Sequence, residues 1–376
     1  MIKTHMMGIE MDNPVVVVSG PWSRGSDRMK KALECGAGAV VTESIVSEAI
    51  PEIAPRYAYN SENEGIQNIR LYSNLELENW IDVLTEIDRA KRYGSKTKVI
   101  ASIMGTTPSE MAYIARKVEK TGVDGIEAGI ACPMGEGPEI IAGDPVKVYD
   151  FAKAIVDAVS IPVSVKLSAA TGNLPLVVKA CNKAGLSGIS GIDTIRGILD
   201  IDIDTQRPKL ATYGGYSGAP IRPIGLSTIA GIAQSTDLPI VGIGGIKNYE
   251  HLLEYIFVGA SAGGIGSEIL LRGYSVIGEI LMDLDNWLAE QGISSIEEIK
   301  GNALGSLKSF EEIKVEDLKS DLLSKCTRSD RQQCVACCLD EAITFNKEIE
   351  IDKDICTGCG ICIDKCPDQK LKLVWK

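Results

Sequence analysis

The residues with the clearest chemical meaning are eight cysteines close to the end of the sequence. Four of them follow the pattern Cys-x-x-Cys-x-x-Cys-x-x-x-Cys-Pro, at Cys356, Cys359, Cys362 and Cys366. With this spacing, three thiolates can close on one cubane iron–sulfur cluster while the fourth points away and ligates a second cluster. The sequence therefore predicts two iron–sulfur clusters in this segment.

The other four cysteines form a less regular motif that comes earlier in the chain. Cys338 holds the position of the outward-pointing cysteine of such a motif. The first cluster is therefore expected on Cys338, Cys356, Cys359 and Cys362. The second cluster would take Cys366 from the later motif and Cys326 and Cys334 from the earlier one.

The fourth ligand of the second cluster stays open at this point. The seven-residue gap between Cys326 and Cys334 resembles ferredoxins with a three-iron cluster, whereas Cys337 could complete a four-iron cluster. A zinc site or disulfide bonds are the alternatives for the whole set. The Cys-Pro ending and the glycines between the thiols favour iron–sulfur chemistry.

Composition sets the class of protein. A chain of 376 residues is long enough for one large and one small domain. Only three of the eleven cysteines lie outside the final segment, at Cys35, Cys132 and Cys181, so a secreted disulfide framework is not expected. A net charge of −12 argues against a nucleic-acid partner. The first residues lack a signal peptide and no apolar run is long enough to cross a membrane, so we expect a cytoplasmic protein.

The elements that must position these residues alternate between short β-rich runs and helical patterns. The predicted strands are residues 14–19, 39–42, 98–103, 125–130, 162–167, 188–192, 239–243 and 262–265. Eight strand–helix units in about 280 residues predict an α/β (β/α)₈ TIM barrel. A doubly wound open sheet is the alternative, but its Gly-x-Gly-x-x-Gly fingerprint is missing after the first strand.

The domain boundaries follow from this pattern. Residues 1–300 are predicted to form the barrel, 301–322 a charged, helix-prone connector, and 323–376 a ferredoxin-like α+β domain. The last barrel helix is expected to run from 268 to 291. The polar segment 43–74 is long for a loop, so we expect it to cover a site or an interface.

Glycines follow the last two predicted strands, where TIM barrels commonly bind a phosphate group. Gly244 and Gly245 follow strand seven, and Gly266 and Ser267 follow strand eight. Because iron–sulfur clusters pass single electrons, the phosphate is best assigned to FMN, which links two-electron and one-electron chemistry. Further candidate cofactor contacts are Ser19, Gly20, Glu43 and Gly218.

Two side chains at other strand ends suit flavin chemistry. Lys166 ends strand five, where a buried lysine needs a partner, and we expect it to face the N1/C2 oxygen side of the flavin. Cys132 follows strand four and could exchange a proton with the substrate carbon next to the one that exchanges hydride. The alternatives are a surface lysine and a buried structural cysteine.

Several of these stretches together resemble the dihydroorotate dehydrogenase superfamily, and most closely the pyrimidine-reducing part of dihydropyrimidine dehydrogenase. The stretches are residues 100–104 (IASIM), 132–133, 143–145, 165–167, 213–223 (YGGYSGAPIRP), 244–246 and 295–301 (SIEEIKG). The resemblance implies FMN at the barrel mouth, Cys132 as the proton-transferring residue and Lys166 on the flavin. It also implies a pair of [4Fe–4S] clusters that supply electrons.

The chain departs from this family at residues that hold the substrate. Glu43 stands where the family has a lysine. The 106–108 turn, Gly129 and Asp193 stand where it has asparagines, whereas Thr194 is kept. Each lost bond to a buried polar edge is worth about 1–3 kcal/mol, so a changed, non-pyrimidine substrate is expected.

Two arginines are candidates to supply the positive charge that the family's lysine carries at position 43. They are Arg24 and Arg196, and the alternative for each is a solvated loop arginine. Glu43 itself either forms a structural ion pair or serves as an acid or acceptor for the substrate. Gly129, Asp193, Thr194 and Arg196 are the candidate substrate contacts.

The sequence thus predicts an FMN-dependent, ferredoxin-linked oxidoreductase that acts on a carbon–carbon bond. The alternatives are a genuine dihydroorotate dehydrogenase with a modified pocket and an electron-transfer subunit without catalysis. No dinucleotide fingerprint is present, so the electron partner is expected to be a ferredoxin or an NAD(P)H-flavoprotein subunit. A homo-oligomer is also expected.

Overall fold

The computed structural model describes residues 2–92, 94–131, 138–314, 316–326, 333–366 and 368–375, and for residues 138–140 it describes only the backbone. By their contacts the residues divide into two units, 1–306 and 307–376. Cys132, the predicted proton-transferring residue, lies outside the described residues.

The first unit is built on eight parallel strands that close into a barrel, which confirms the predicted (β/α)₈ fold. The strands are β1 (Val15–Val17), β2 (Ala39–Val41), β3 (Lys98–Ile103), β4 (Gly125–Ala128), β5 (Val163–Leu167), β6 (Gly188–Gly191), β7 (Ile240–Ile243) and β8 (Ala262–Ile265). Each strand pairs with its neighbours in sequence, and β8 pairs with β1. Strands buried on both faces explain their continuous runs of valine and isoleucine.

Helices cover the outside of the barrel. They are Gly25–Glu34, Leu77–Arg92, Pro108–Glu119, Pro138–Gly143, Pro145–Val156, Leu174–Ala184, Arg222–Ala233, Tyr249–Phe257, Ser267–Arg272 and Ser275–Gln291. Thr107 and Asp144 cap two of them, each followed by the proline that fits a first helical position. The single helix predicted over 268–291 is wrong, because the chain breaks at Gly273, whose φ of 83° is incompatible with a continuous helix.

An N-terminal hairpin, which the sequence did not predict, packs against the barrel interior. It pairs Thr4–Met6 with Ile9–Met11. Met7 lies in its turn and is 2% exposed. A Cβ at Gly125 would lie 2.9 Å from the Met7 Cε, and one at Gly188 would lie 3.0 Å from its Cγ. Glycine in β4 and β6 therefore leaves room for this methionine.

A four-stranded antiparallel sheet joins two excursions that leave the barrel. The hairpin Tyr57–Asn60 and Gly65–Asn68 comes from the polar segment 43–74. Its second strand pairs with Gly214–Gly218, which in turn pairs with Ile195–Gly197. A separate short hairpin pairs Ile201–Asp202 with Arg207–Pro208. The long segment therefore has secondary structure of its own.

The second unit contains two antiparallel strand pairs and two short helices. Leu318–Leu322 pairs with Leu371–Trp375, and Ile343–Asn346 pairs with Glu348–Ile351. The helices are Gln333–Ala336 and Ile361–Asp364. The end of the predicted helix-prone connector is thus a strand of this unit. Among the described residues, no helix is both long and apolar enough to span a membrane.

Candidate active site

A cleft of about 1090 Å³, including its open mouth, lies at the carboxyl ends of the barrel strands. This is the face at which TIM-barrel enzymes carry out their chemistry. Its polar lining comprises Ser19, Glu43, Ser44, Tyr57, Asn68, Arg70, Tyr72, Ser102, Lys166, Asp193, Thr194, Ser217 and Ser267. Apolar lining includes Val18, Trp22, Ile66, Ile192, Ile221, Ile243 and Leu270.

Lys166 projects from the end of β5 into the cleft, with 11% of its side chain exposed. Its Nζ lies 3.9 Å from the Asp193 Oδ2. Glu127 on β4 lies nearby and accepts a 2.5 Å hydrogen bond from the Ser190 hydroxyl. Burial raises the pKa of Glu127, although the Lys166 charge and the Ser190 hydroxyl act in the opposite direction. Lys166 is therefore a nearly buried cation with carboxyl groups on two sides.

A second, smaller cavity of about 320 Å³ shares part of its lining with the cleft. Gly244 and Gly245 form its turn with φ of 132° and 66°, values that L side chains rarely adopt. The buried Tyr255 hydroxyl donates a 2.8 Å hydrogen bond to the Gly244 carbonyl and so fixes this turn. The Ser267 hydroxyl donates to that of Ser217 at 3.0 Å. Backbone and hydroxyl donors of this kind suit a phosphate group.

Most of the predicted cofactor and substrate residues come together at these two cavities. The cleft is lined by Ser19, Gly20, Glu43, Gly129, Lys166, Asp193, Thr194, Gly266 and Ser267. The smaller cavity adds Gly218, Gly244 and Gly245. Ala131, the residue before Cys132, is buried at 2% exposure directly after β4.

The two arginines that were candidates for a substrate-binding cation are engaged elsewhere. The Arg196 guanidinium lies over the Tyr213 ring, with 4.3 Å between its Cζ and the ring centroid. Arg24 donates to Glu52 at 2.5 Å and to Asn74 at 2.8 Å. Neither is among the described residues that line the cleft.

The cleft also contains residues that the sequence analysis did not identify. They are Tyr57, Asn68, Arg70 and Tyr72 from the segment 43–74. The length and polarity of this segment indicated a site cover, but no local pattern identified the inward-facing positions. Asn68 places a side-chain amide on the cleft wall. The 106–108 turn, which stands where the family has an asparagine, is the start of a helix that Thr107 caps.

Glu43 and Arg70 form a buried ion pair on this wall, with exposures of 5% and 9% for their side chains. The Arg70 Nη2 lies 2.8 Å from the Glu43 Oε1. Arg70 also contacts Glu52 through Nη1. Burial raises the pKa of Glu43 even though the Arg70 and Arg24 charges act to lower it. Glu43 is thus a buried carboxyl group on which burial and the neighbouring arginines act in opposite directions.

In the second unit, Cys338, Cys356, Cys359 and Cys362 line one cavity of about 310 Å³. These are the four cysteines expected to hold the first cluster. The Ser320 backbone N–H donates to the Cys356 Sγ at 3.3 Å, and the Ser320 hydroxyl lies 3.4 Å from the Cys362 Sγ. Gly358 and Gly360 take positive φ between these thiols, which lets the backbone turn tightly.

The remaining cysteines pack in the core of the same unit. Cys326, Cys334 and Cys366 are each at most 8% exposed. Burial raises the pKa of Cys334, and the neighbouring Cys366 and Cys326 thiols act in the same direction. Cys337 is less buried, and its Sγ donates to the Cys334 carbonyl at 3.3 Å. No described cysteine forms a disulfide bond, and no three described His, Cys, Asp or Glu side chains converge as one metal ion would need.

Comparison with protein families gives two matches. A model described as dihydroorotate dehydrogenase matches residues 1–288. A model described as a 4Fe-4S binding domain matches residues 349–369. The first covers nearly the whole barrel unit, and the second covers the strand and cysteine motif at the end of the small unit.

Similar proteins come from several archaea, and each is named dihydroorotate dehydrogenase B (NAD(+)), catalytic subunit. The protein from Pyrococcus furiosus is 36% identical over 306 residues, which are 80% of this chain and 98% of that protein. The protein from Methanocaldococcus jannaschii is 35% identical over 311 residues, 81% of this chain and 98% of that protein. About a fifth of the present chain therefore lies outside these alignments.

Proposed function

Because the chain belongs to the dihydroorotate dehydrogenase family and its barrel is followed by a 4Fe-4S binding segment, we propose that it is an FMN-dependent, ferredoxin-linked oxidoreductase. It would add or remove hydrogen across a carbon–carbon bond. The observation that carries this proposal is a single cleft that joins a buried lysine to a glycine-lined phosphate cradle. Membership of the family makes the chain an oxidoreductase that acts on CH–CH groups.

The residues of the two cavities fit FMN. Gly244, Gly245 and Ser267 would supply backbone and hydroxyl donors for a phosphate, and the smaller cavity shares lining residues with the cleft. Lys166 supplies the positive charge that a reduced flavin ring needs near its N1 side. When bound, FMN supplies hydride exchange with a substrate and one-electron exchange with an iron–sulfur centre.

The protein's own groups would orient the substrate and move a proton. Lys166 is held by Asp193, so its ammonium group cannot swing out of the cleft without leaving that carboxylate. We assign Cys132 to the proton transfer at the substrate carbon, because the family resemblance implies this role and a thiol can act as a general acid or base. Cover by the hairpin Tyr57–Asn60 and Gly65–Asn68 would exclude water.

The substrate is proposed to differ from a pyrimidine. Glu43, Gly129 and Asp193 stand on the cleft wall where the family resemblance implies a lysine and two asparagines. Loss of these contacts would weaken binding of a uracil or orotate ring by orders of magnitude. The second candidate is a genuine dihydroorotate dehydrogenase, which is favoured by the names of the relatives and by the Asn68 amide on the wall.

The small unit is proposed to hold two clusters. One [4Fe–4S] cluster would be ligated by Cys338, Cys356, Cys359 and Cys362, which line one cavity. The other would use Cys326, Cys334 and Cys366. We favour a three-iron cluster at this second position, because the Cys337 thiol is directed to the Cys334 carbonyl. The electron partner would be a ferredoxin or an NAD(P)H-flavoprotein subunit.

The test begins with anaerobically purified full-length protein. We expect about one FMN per chain together with the brown absorbance of iron–sulfur clusters. Flavin bleaching is then followed with dihydroorotate, and reoxidation of the reduced enzyme with orotate, uracil and thymine. Slow or absent reaction with all four supports an altered substrate, whereas turnover at an ordinary enzymatic rate identifies a genuine pyrimidine enzyme.

Two variants separate catalysis from a purely electron-transferring role. Cys132→Ser should keep FMN and lose substrate turnover by about 100-fold or more, since a serine hydroxyl is a far weaker acid. Cys35→Ser, at a thiol on the outside of the barrel, is the matched control and should behave as wild type. Protein without flavin would refute the proposal.

A further inference from the structure

The ion pair between Lys166 and Asp193 places a negative charge beside the ammonium group that was proposed to face the flavin. The Lys166 Nζ lies 3.9 Å from the Asp193 Oδ2, and only 11% and 19% of the two side chains are exposed. Both residues line the cleft. Charges that are largely shielded from water interact strongly, so the carboxylate offsets a large part of the Lys166 charge.

The backbone holds the Asp193 carboxylate in this position. The Asp193 N–H donates a 2.9 Å hydrogen bond to the carbonyl of Leu167, the residue after Lys166 in β5. The Asp193 Oδ1 accepts a 2.6 Å hydrogen bond from the Thr194 N–H, and Oδ2 is the oxygen that lies toward Lys166. The pair is therefore fixed by two adjacent strand ends and is not a flexible surface contact.

The other charged groups of the cleft leave Lys166 without a surplus of positive charge. Among the described lining residues, the charged side chains are Glu43, Arg70, Lys166 and Asp193. Arg70 forms its own ion pair with Glu43. Glu127, which is 2% exposed, is a further carboxyl group close to Lys166. Each cation of the described lining is thus matched by an acidic partner.

This arrangement has a direct consequence for a flavin at the end of β5. Positive charge near the N1 side of the ring stabilises the reduced, anionic flavin and raises its reduction potential. A carboxylate next to that positive charge has the opposite effect. Asparagine, which the family resemblance implies at position 193, could still accept the Thr194 hydrogen bond but would carry no charge. The aspartate therefore adds a charge to the site and nothing else that asparagine lacks.

We propose that Asp193 is a positioning residue that lowers the reduction potential of the flavin through Lys166. It holds the ammonium group and offsets its charge, so the reduced flavin is a stronger reductant than one beside an unpaired lysine. The inference rests on the proposed function and deepens it, because it gives Asp193 control of the cofactor in place of the predicted substrate contact.

The test measures the reduction potential of the flavin in full-length, FMN-loaded protein. Anaerobic titration against a two-electron reference dye gives the equilibrium between flavin and dye, and electron paramagnetic resonance follows the clusters separately. In Asp193→Asn this equilibrium should move toward reduced flavin by about tenfold or more, which raises the potential by about 30 mV or more. Asp193→Glu, which keeps the charge, should stay within about threefold of wild type.

Two further variants complete the set. Asp193→Ser removes the charge with a smaller side chain and should shift the potential in the same direction as Asp193→Asn. Asp200→Asn is the matched control, because Asp200 pairs with Lys209 at 2.5 Å but is not among the described residues that line the cleft. It should leave the potential unchanged. FMN content and melting temperature report whether each variant has folded.

The outcomes separate this inference from the proposed function. A potential that is unchanged or lower in Asp193→Asn and Asp193→Ser overturns the role of Asp193, as does a shift of equal size in Asp193→Glu. Loss of FMN from both charge-removing variants also overturns it, since Asp193 would then serve cofactor binding. Wild-type protein that binds no FMN refutes the proposed function itself.

Discussion

At the scale of single residues, two glutamates of the barrel unit have pKa values that are shifted in opposite directions. Burial raises the pKa of Glu127 on β4. Glu119 on the outer helix Pro108–Glu119 has a lowered pKa because the Ser160 hydroxyl and backbone N–H donate to it. Glutamate therefore contributes to stability in opposite pH directions, depending on whether it is buried in the barrel or accepts hydrogen bonds near the surface.

The first prediction concerns Glu127→Gln. A carboxyl whose folded pKa is raised contributes stability below its unfolded pKa, and this contribution is lost as pH rises through the folded pKa. Glutamine cannot ionise but still accepts the Ser190 hydrogen bond. The variant should match wild type near pH 5 and have a higher melting temperature near pH 8. The control Glu119→Gln should lose stability near pH 8, and a lower melting temperature for Glu127→Gln at that pH would contradict the account.

The second prediction concerns Tyr255→Phe. The Tyr255 hydroxyl is buried and donates to the Gly244 carbonyl, so its removal leaves that carbonyl without this partner. We expect a loss of about 1 kcal/mol in the free energy of unfolding and several-fold weaker FMN binding, because the glycine turn is no longer fixed. Urea unfolding and FMN dissociation measure the two effects. Tyr113→Phe, on an exposed helix surface, should change neither.

At the scale of elements, local sequence patterns predicted the strands of the barrel but not the four-stranded antiparallel sheet outside it. The strands Lys98–Ile103 and Ala262–Ile265 have the predicted bounds, because short apolar runs between turn residues are local signals. The pairing of Asn68 with Gly215 joins residues far apart in sequence. No local pattern encodes such a pairing, and for this reason Arg70 and Tyr57 were missed.

The candidate site shows the same division. Glycines and Lys166 at strand ends were predictable, because the barrel topology brings all strand ends to one face. Arg196 also follows a strand end and was predicted to contact the substrate, but its guanidinium stacks on the Tyr213 ring. Its segment pairs with the strand Gly214–Gly218, which lies outside the barrel. Position relative to a strand end therefore predicts which face a residue occupies, but not what its side chain contacts.

The third prediction is at this scale and concerns the helix Gln333–Ala336 and the cysteines around it. Cys337→Ser should leave iron content and the electron paramagnetic resonance spectrum unchanged, because the Cys337 thiol is directed to the Cys334 carbonyl. Cys334→Ser is the comparison and should lose the second cluster, since Cys334 lies with Cys326 and Cys366 in the core. Loss of about one iron per chain in Cys337→Ser would identify Cys337 as the fourth ligand.

At the scale of the whole molecule, the chain combines a barrel of the dihydroorotate dehydrogenase family with a 4Fe-4S binding segment. The alignment with the Pyrococcus furiosus protein covers 98% of that protein but 80% of this chain. The contact division places residues 307–376 in a unit of their own, with its strands paired among themselves. This chain is proposed to connect its barrel to iron–sulfur clusters within one polypeptide.

The fourth prediction concerns a chain truncated after Ser306. The barrel strands, the four-stranded antiparallel sheet and the core around Trp80 all lie within residues 1–306. The truncated protein should therefore fold and bind FMN with the affinity of the full chain. It should lack brown absorbance, and its rate of electron exchange with a ferredoxin should fall by about 100-fold or more, because the proposed one-electron carriers of the chain are gone. Flavin titration and stopped-flow measurement with reduced ferredoxin check these outcomes.

Full-length protein with Cys359→Ser serves as the control, since it keeps the second unit while removing a proposed ligand of the first cluster. Undiminished electron exchange in both proteins would show that the ferredoxin reaches the barrel directly and that the added segment serves another purpose.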